Sequence, residues 1–168
     1  MALNGRLGIF GVNGATLLKH GDNSYWNQSA FTEARAFNPN VVVVKLGTND
    51  SKPQNWKYKD EFIADYSALI KEFSSLPSKP DVFICLPAPA YGVRWGIRDS
   101  VINADIIPML REVAKLNHAP LIDLNTPLSN HPEWFPDLIH PNEAGAAKIA
   151  EIIGEQILKN KNKIENRK

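Results

Sequence analysis

The pair of residues best suited to move a proton in this sequence is Asp137 and His140, which stand three residues apart. A carboxylate at that spacing can accept the Nδ1–H of the imidazole, which fixes the tautomer and leaves Nε2 as a general base. Two other interpretations stay open: an aspartate at a helix start beside an exposed histidine, or two ligands of a metal. Because no third acidic or histidine residue stands at a recognisable ligand spacing, we do not predict a metal site.

A second group of polar residues follows a run of four valines, Val41–Val44. Four β-branched residues in a row predict a strand that is buried on both faces, as in a parallel sheet. The strand runs into Gly47-Thr48-Asn49-Asp50, and ligands of open α/β sheets bind beyond the carboxyl ends of the strands. The amide of Asn49 could donate a hydrogen bond there. A plain turn before a helix also explains these four residues, and the tetrapeptide alone favours that turn.

The elements that must position these residues alternate along the chain. Apolar runs predict strands at residues 6–10, 41–46, 81–86 and 121–124. Apolar residues at helical spacing predict helices over 29–37 and 58–74, from residue 99 or 100 onward with a kink at Pro108, and over 143–159. This alternation predicts a parallel, doubly wound sheet in one three-layer α/β/α domain that spans residues 1–168.

The composition of the chain argues against several kinds of binding partner. The chain has 168 residues and a formal net charge of +1, so no strong field favours nucleic acid or an anionic membrane. No run approaches the roughly 18 apolar residues of a membrane span, and we expect no leader segment before the fold. The single cysteine, Cys85, excludes an internal disulfide, and its apolar surroundings favour a buried, inert thiol. No cofactor is predicted, and the cellular compartment stays open.

Three blocks, taken together, resemble the SGNH or GDSL-type ester hydrolases. The second, third and fifth blocks of that family are similar, in the same order, to Gly11-Val12-Asn13-Gly14-Ala15-Thr16, Gly47-Thr48-Asn49-Asp50 and Asp137-Leu138-Ile139-His140-Pro141-Asn142. Trp26 and residues 51–56 resemble its carbohydrate-acetylesterase branch, which includes sialate and xylan deacetylases. The resemblance covers nearly the whole chain. It implies a flavodoxin-like sheet and hydrolysis of small acyl or acetyl esters, including esters on sugars.

The resemblance implies a role for one or two residues in each block. The N–H of Gly14 and the side-chain N–H of Asn49 would stabilise the oxyanion, each contributing on the order of 3 kcal/mol. His140 would act as general base and then as general acid, and Asp137 would orient it. Without the other blocks, Gly14 is equally well explained as a turn glycine.

The family's first block is a strand that ends in Gly-Asp-Ser and carries the nucleophilic serine, and this block is missing here. Residues 1–12 contain no serine. An alternative takes residues 9–13 as a degraded first block with Asn13 in place of the serine, but the nucleophile is absent under both interpretations. Because this strand is central in the family's sheet, its loss would leave buried backbone groups unpaired. The cost would exceed the ~5–15 kcal/mol stability of a typical domain.

The gap in the sheet must therefore be filled. We expect residues 6–12 to move inward and pair with residues 41–46, or two copies to exchange edges as a homodimer. A natural or artificial N-terminal truncation is the third explanation, and a Gly-Asp-Ser upstream of Met1 would establish it.

The favoured function is an ester hydrolase with a His140–Asp137 dyad, in which water or another serine such as Ser51 replaces the missing nucleophile. Trp95 and Arg98 lie in a loop expected to flank the site, where they would bind the small ester substrate or simply pack. The alternatives are a catalytically inactive relative that acts as a carbohydrate-binding or interaction module, and a fragment with no independent role.

Overall fold

Three parallel strands form the sheet of the computed structural model, which describes residues 5–165. They are β1 (Val41–Val44), β2 (Asp81–Leu86) and β3 (Leu121–Asp123), and they lie side by side in that order. The register pairs Val41 with Asp81 and Ile84 with Leu121. The strands predicted at 41–46, 81–86 and 121–124 are therefore confirmed, with β2 at the centre of the described sheet.

Helices cover both faces of this sheet. The α-helical segments are α1 (Ser29–Ala36), α2 (Pro53–Trp56), α3 (Phe62–Ser74), α4 (Asp99–Val101), α5 (Ile107–Leu116), α6 (Asn125–Leu128) and α7 (Glu143–Glu165). A π-helical segment, Ile102–Ile106, joins α4 to α5, and 3-10 helices lie at Tyr25–Asn27, Asn49–Ser51, Lys59–Glu61 and Pro132–Trp134. The helices predicted at 29–37, 58–74 and 143–159 are confirmed. No helix within residues 5–165 is both long and apolar enough to cross a membrane.

The helix predicted from residue 99 is formed, and its irregularity lies just before Pro108 rather than at it. Pro108 lies inside one continuous helical run, residues 99–116, and has no N–H to donate to the preceding turn. The π-helical segment Ile102–Ile106 absorbs the irregularity instead.

Two apolar clusters cover opposite faces of the sheet and give it three layers. β2 alternates between them: Val82, Ile84 and Leu86 pack with α3 and α5, whereas Phe83 and Cys85 pack with α7. All five side chains are at most 5% exposed, as expected for a central parallel strand. The predicted three-layer α/β/α class with a flavodoxin-like parallel sheet is confirmed, and the single domain over residues 1–168 stays a prediction.

The thiol of Cys85 is buried, as predicted. Burial raises the pKa of Cys85 to about 12, so the thiolate is not available as a nucleophile.

β1 is less buried than four consecutive valines predict. Val44 is fully buried, whereas the side chains of Val41, Val42 and Val43 are only half-buried. The prediction of burial on both faces is therefore wrong for most of this strand. The reason is that β1 is an edge strand whose free side borders a cavity of about 1220 Å³. We call this cavity, which lies between residues 5–14 and 40–49, the slot.

Residues 6–12 form the other border of the slot and do not join the sheet. The strand predicted at 6–10 is not formed, and the expected pairing of residues 6–12 with 41–46 is wrong. A strand needs a ladder partner, and residues 6–12 have none in the described chain.

The same segment is anchored on the end of α1 instead. The ring of Phe10 lies 5.4 Å from that of Phe37, and the hydroxyl of Tyr25 donates to the Phe10 carbonyl at 3.0 Å. Leu7 and Ile9 are left 84% and 85% exposed. Packing of Phe10 therefore holds the segment away from β1.

Candidate active site

The loop before α7 brings Asp137 and His140 into contact. Nδ1 of His140 lies 2.8 Å from Oδ2 of Asp137. Oδ1 of Asp137 accepts the backbone N–H groups of His140 at 2.6 Å and Ile139 at 2.9 Å. The backbone N–H of His140, its ring and the N–H of Ile139 hold the pKa of Asp137 well below its usual range. Asp137 therefore stays ionised and can orient the imidazole without exchanging a proton itself.

Gly14 lies in a tight turn in which the N–H of Ala15 donates to the carbonyl of Val12 at 3.2 Å. Its φ of +74° is in the left-handed region, which glycine adopts without strain. Within the described part of the chain, the N–H of Gly14 has no hydrogen-bond acceptor. It can therefore donate to a ligand.

Asn49 follows β1, and its side chain reaches the glycine turn. Its Nδ2 donates to the carbonyl of Ala15 at 3.2 Å. Its own carbonyl accepts Nδ2 of Asn55 at 3.0 Å, which holds the backbone of Asn49 in place. An amide carries two N–H donors, so one remains for another acceptor.

Sequence patterns miss the role of Asp50, which is completely buried. Its carboxylate accepts the N–H groups of Leu17 at 3.0 Å and Leu18 at 2.8 Å. Burial raises the pKa of Asp50 from 3.8 to about 6, because it outweighs the opposing effect of these hydrogen bonds. Asn49 and Asp50 thus fasten the segment that carries Gly14. The only sequence signal is an acidic residue after Asn49, which by itself predicts no such contact.

Two more side chains extend this anchoring. Oδ2 of Asp65 accepts the N–H of Lys19 at 2.9 Å, and Oδ1 of Asn55 accepts the N–H of Asp22 at 2.9 Å. Both acceptor residues are buried. Four backbone N–H groups therefore bind buried side chains from residues 50–65, and we call residues 14–22 the tethered loop.

The three candidate residues Gly14, Asn49 and His140 all line the slot. Asn49 lies just beyond the carboxyl end of β1, where ligands of parallel sheets bind. No serine is among the described residues that line the slot. The fold thus brings two candidate oxyanion donors and a candidate base to one cavity, without a serine nucleophile from residues 5–165.

Trp95 and Arg98 lie in the loop between β2 and α4, in different surroundings. Trp95 is 54% exposed, and its ring lies 5.4 Å from that of His140. Arg98 donates Nε to the carbonyl of Ser51 at 2.7 Å and its backbone N–H to Oγ of Ser51 at 3.0 Å. The structure therefore brings Trp95 next to the candidate site and ties Arg98 to Ser51.

Ser51 is fully buried, and its hydroxyl donates to the carbonyl of Thr48 at 2.8 Å. The suggestion that Ser51 replaces the missing nucleophile is wrong, because burial and these hydrogen bonds keep its oxygen from an ester.

Comparison with known sequences identifies similar proteins. The chain matches the model of the GDSL-like lipase/acylhydrolase family over residues 2–148. It is 42% identical over 166 residues to a protein named acetylxylan esterase from Xylanibacter ruminicola, and the match takes in 88% of this chain and 35% of that relative. The chain therefore spans about a third of the length of that relative.

Solved structures with a similar fold include two esterases. The acetyl xylan esterase AlAXEase has a TM-score of 0.65 at 24% identity, and the match covers 84% of this chain and 76% of that one. A carbohydrate esterase of family 3 from Talaromyces cellulolyticus has a TM-score of 0.60 at 20% identity, with 79% and 64% covered. At these identities the likeness establishes the fold.

Proposed function

This chain belongs to the GDSL-like lipase/acylhydrolase family, and on that premise we propose that it hydrolyses acetyl esters carried by carbohydrates. One observation carries the proposal: the 2.8 Å contact between His140 and Asp137 adjoins the slot that Gly14 and Asn49 also line. One relative and one structural neighbour are named acetylxylan and acetyl xylan esterase, which supports an acetylated sugar as the small ester substrate.

His140 carries the proton transfers in this proposal. Its Nε2 accepts the proton of the attacking oxygen and later donates it to the sugar oxygen that leaves. Asp137 accepts the Nδ1–H, which keeps the imidazole in the required tautomer and stabilises the imidazolium once it forms.

Gly14 and Asn49 stabilise the charge that develops on the carbonyl oxygen of the ester. The donors are the backbone N–H of Gly14 and the Nδ2–H of Asn49. Their anchoring through the tethered loop supports this role, because donors that are fixed in advance need no reorganisation during the reaction. Each such donor contributes on the order of 3 kcal/mol.

We propose that the attacking oxygen belongs to a serine on a β-strand that fills the slot. Within the described chain, the free edge of β1 leaves N–H and C=O groups without a ladder partner on that side, and residues 6–12 opposite make no ladder hydrogen bond. A volume of about 1220 Å³ exceeds the ~300–1,000 Å³ of a typical small-molecule pocket, so an acetylated sugar alone would not fill it. A strand parallel to β1 would end beside Asn49 and Gly14.

For the chain by itself we propose a homodimer in which the slot of each copy receives residues 6–12 of the other. Two features support this exchange. The side chains of Leu7 and Ile9 are exposed and could be buried in the slot, and the free edge of β1 could pair with the backbone of residues 6–12. Residues 6–12 carry no hydroxyl group. Such a dimer completes the sheet and leaves water as the nucleophile.

Hydrolysis of acetylated xylo-oligosaccharides tests the proposed function. We call the chain with an added N-terminal strand that ends in Gly-Asp-Ser the extended chain. We expect the extended chain to hydrolyse the ester and the chain alone to be about 10⁶-fold slower. A fluorophosphonate should label the added serine and no other residue. Activity of the extended chain that survives His140→Ala would contradict the assignment of the base.

The second candidate function is carbohydrate binding without catalysis. The lack of a serine among the described residues of the slot favours it. Binding of acetylated xylan by both forms of the chain, with hydrolysis by neither, would support this function over the first.

A further inference from the structure

We propose that Trp95 and Leu138 form an apolar platform on which a pyranose ring of the polysaccharide stacks beside His140. The position of the ester rests on the proposed function. The platform itself follows from the two loops that carry these residues.

Both residues have backbone conformations that bulky side chains avoid. The φ angle is +51° at Trp95 and +73° at Leu138, in the left-handed region where Cβ crowds the backbone. Trp95 and Gly96, with φ of +80°, are the central residues of a turn that the N–H of Ile97 closes by donating to the Arg94 carbonyl at 3.0 Å. Such a turn favours asparagine or glycine, so tryptophan is unfavourable for folding there.

Burial compensates for this strain only in part. Trp95 is 54% exposed, Leu138 is 39% exposed, and Val93 in the same loop as Trp95 is 76% exposed. Apolar side chains that face solvent contribute little to stability, and backbone strain of this kind clusters at ligand sites. A ligand that covers the two side chains explains why they occupy these positions.

Contacts between the two loops hold both residues near the candidate base. The ring of Trp95 lies 5.4 Å from the imidazole of His140, and the N–H of Tyr91 donates to the carbonyl of Leu138 at 2.9 Å. The guanidinium of Arg94 lies 4.4 Å from the centre of the Trp95 ring, which supports the indole by a cation–π contact. The platform is therefore held in place before a ligand arrives.

A pyranose ring suits this surface chemically. One face of the ring exposes mainly C–H groups, and these can pack on indole and leucine and so leave water. Arg94 lies over one face of the indole, so the sugar would stack on the other face, with its edge hydroxyls hydrogen-bonded to water. Stacking on Trp95 would hold the sugar close to His140, so that an acetyl group on that sugar or its neighbour can enter the slot.

Calorimetric binding of an acetylated xylan fragment and an acetylated mannan fragment to the unextended chain tests the platform. Trp95→Asn removes the ring and suits the turn better. We therefore expect an unchanged or higher melting temperature and an affinity at least tenfold lower. His118→Asn is the matched control, because His118 has nearly the same φ, +52°, and is exposed at the amino end of β3, away from the slot. Its affinity should equal that of the unmodified chain.

Three results would overturn the platform: equal affinity of Trp95→Asn, a lower melting temperature for that variant, or no binding of either fragment at millimolar concentration. The proposed function has a separate readout, hydrolysis by the extended chain. Trp95-dependent binding without hydrolysis keeps the platform and rejects the function. Hydrolysis by the extended chain, together with binding that does not depend on Trp95, would support the proposed function and reject the platform. A loss confined to one fragment identifies the sugar that the platform accepts.

Discussion

The tethered loop and residues 6–12 follow one another in the chain and are held in different ways. Four backbone N–H groups of the tethered loop bind buried side chains from residues 50–65. Residues 6–12 make no ladder hydrogen bond with any other part of residues 5–165 and leave Leu7 and Ile9 exposed. Side-chain hydrogen bonds therefore fix the candidate oxyanion donors even though the sheet is incomplete. Residues 6–12, which we call the open border of the slot, lack such anchoring of their N–H groups within the described chain.

The largest effect on the rate of hydrolysis is expected at the Asp137–His140 dyad, whose histidine lines the slot together with Gly14 of the tethered loop. Asp137→Asn keeps the shape of the side chain, but the amide favours the wrong imidazole tautomer, so hydrolysis by the extended chain should fall about 10⁴-fold. Asp123→Asn is the matched control, because Asp123 likewise accepts backbone N–H groups one turn ahead, but outside the slot. A loss of less than about tenfold for Asp137→Asn, measured as kcat on an acetylated sugar, would mean that the dyad is not used.

Removing Asn49 tests whether a side chain that anchors the tethered loop also serves catalysis. Asn49→Ala deletes the Nδ2–H and its bond to the Ala15 carbonyl, so kcat of the extended chain should fall about 10²–10³-fold. Asn117→Ala also deletes an amide that bonds a backbone carbonyl, that of Val113, but outside the slot. Equal kcat values for the two variants would reject Asn49 as a donor.

Asp50 gives the tethered loop a pH dependence that the open border lacks. Its pKa rises from 3.8 to about 6 on folding, so the folded state holds the proton more tightly than the unfolded state. This stabilisation is complete below about pH 4 and is lost as the pH rises through about 6, which lowers the free energy of unfolding by about 3 kcal/mol. Urea unfolding at several pH values checks this.

The control for this prediction is Asp50→Asn, which does not titrate. The fall in unfolding free energy between pH 4 and pH 6 should be smaller in this variant by the contribution of Asp50, about 3 kcal/mol. Parallel pH curves for the two proteins would show that other carboxylates cause the dependence.

The smallest effect on stability is expected at the open border. Ile9 is 85% exposed, so Ile9→Lys should change the unfolding free energy of a monomer by less than about 0.5 kcal/mol. The same substitution should turn the proposed dimer into monomers in light scattering, because it would bury a charged side chain without a partner in a slot lined mainly by apolar residues. Leu116→Lys, at an exposed position of α5, serves as control. A dimer that survives Ile9→Lys contradicts the exchange of residues 6–12.

Features that depend on neighbours in the chain could be predicted from the sequence. Ile102, Ile106 and Leu110 follow helical spacing, and all three are completely buried. The contact between Asp137 and His140 is also local, because the two side chains stand three residues apart in one loop. The sequence by itself therefore determined the four predicted helices, the three strands and the residues that stand at their ends.

Contacts between distant residues were decided by the tertiary structure. Asp50 binds the N–H groups of Leu17 and Leu18 across 33 and 32 residues, and Arg98 binds Ser51 across 47. No local pattern encodes these pairs, because they depend on which groups the packed helices leave without a partner. The same holds for residues 6–12. Their composition suits a strand, but a strand forms only where a free edge is within reach, and the packing of Phe10 on α1 keeps them from β1.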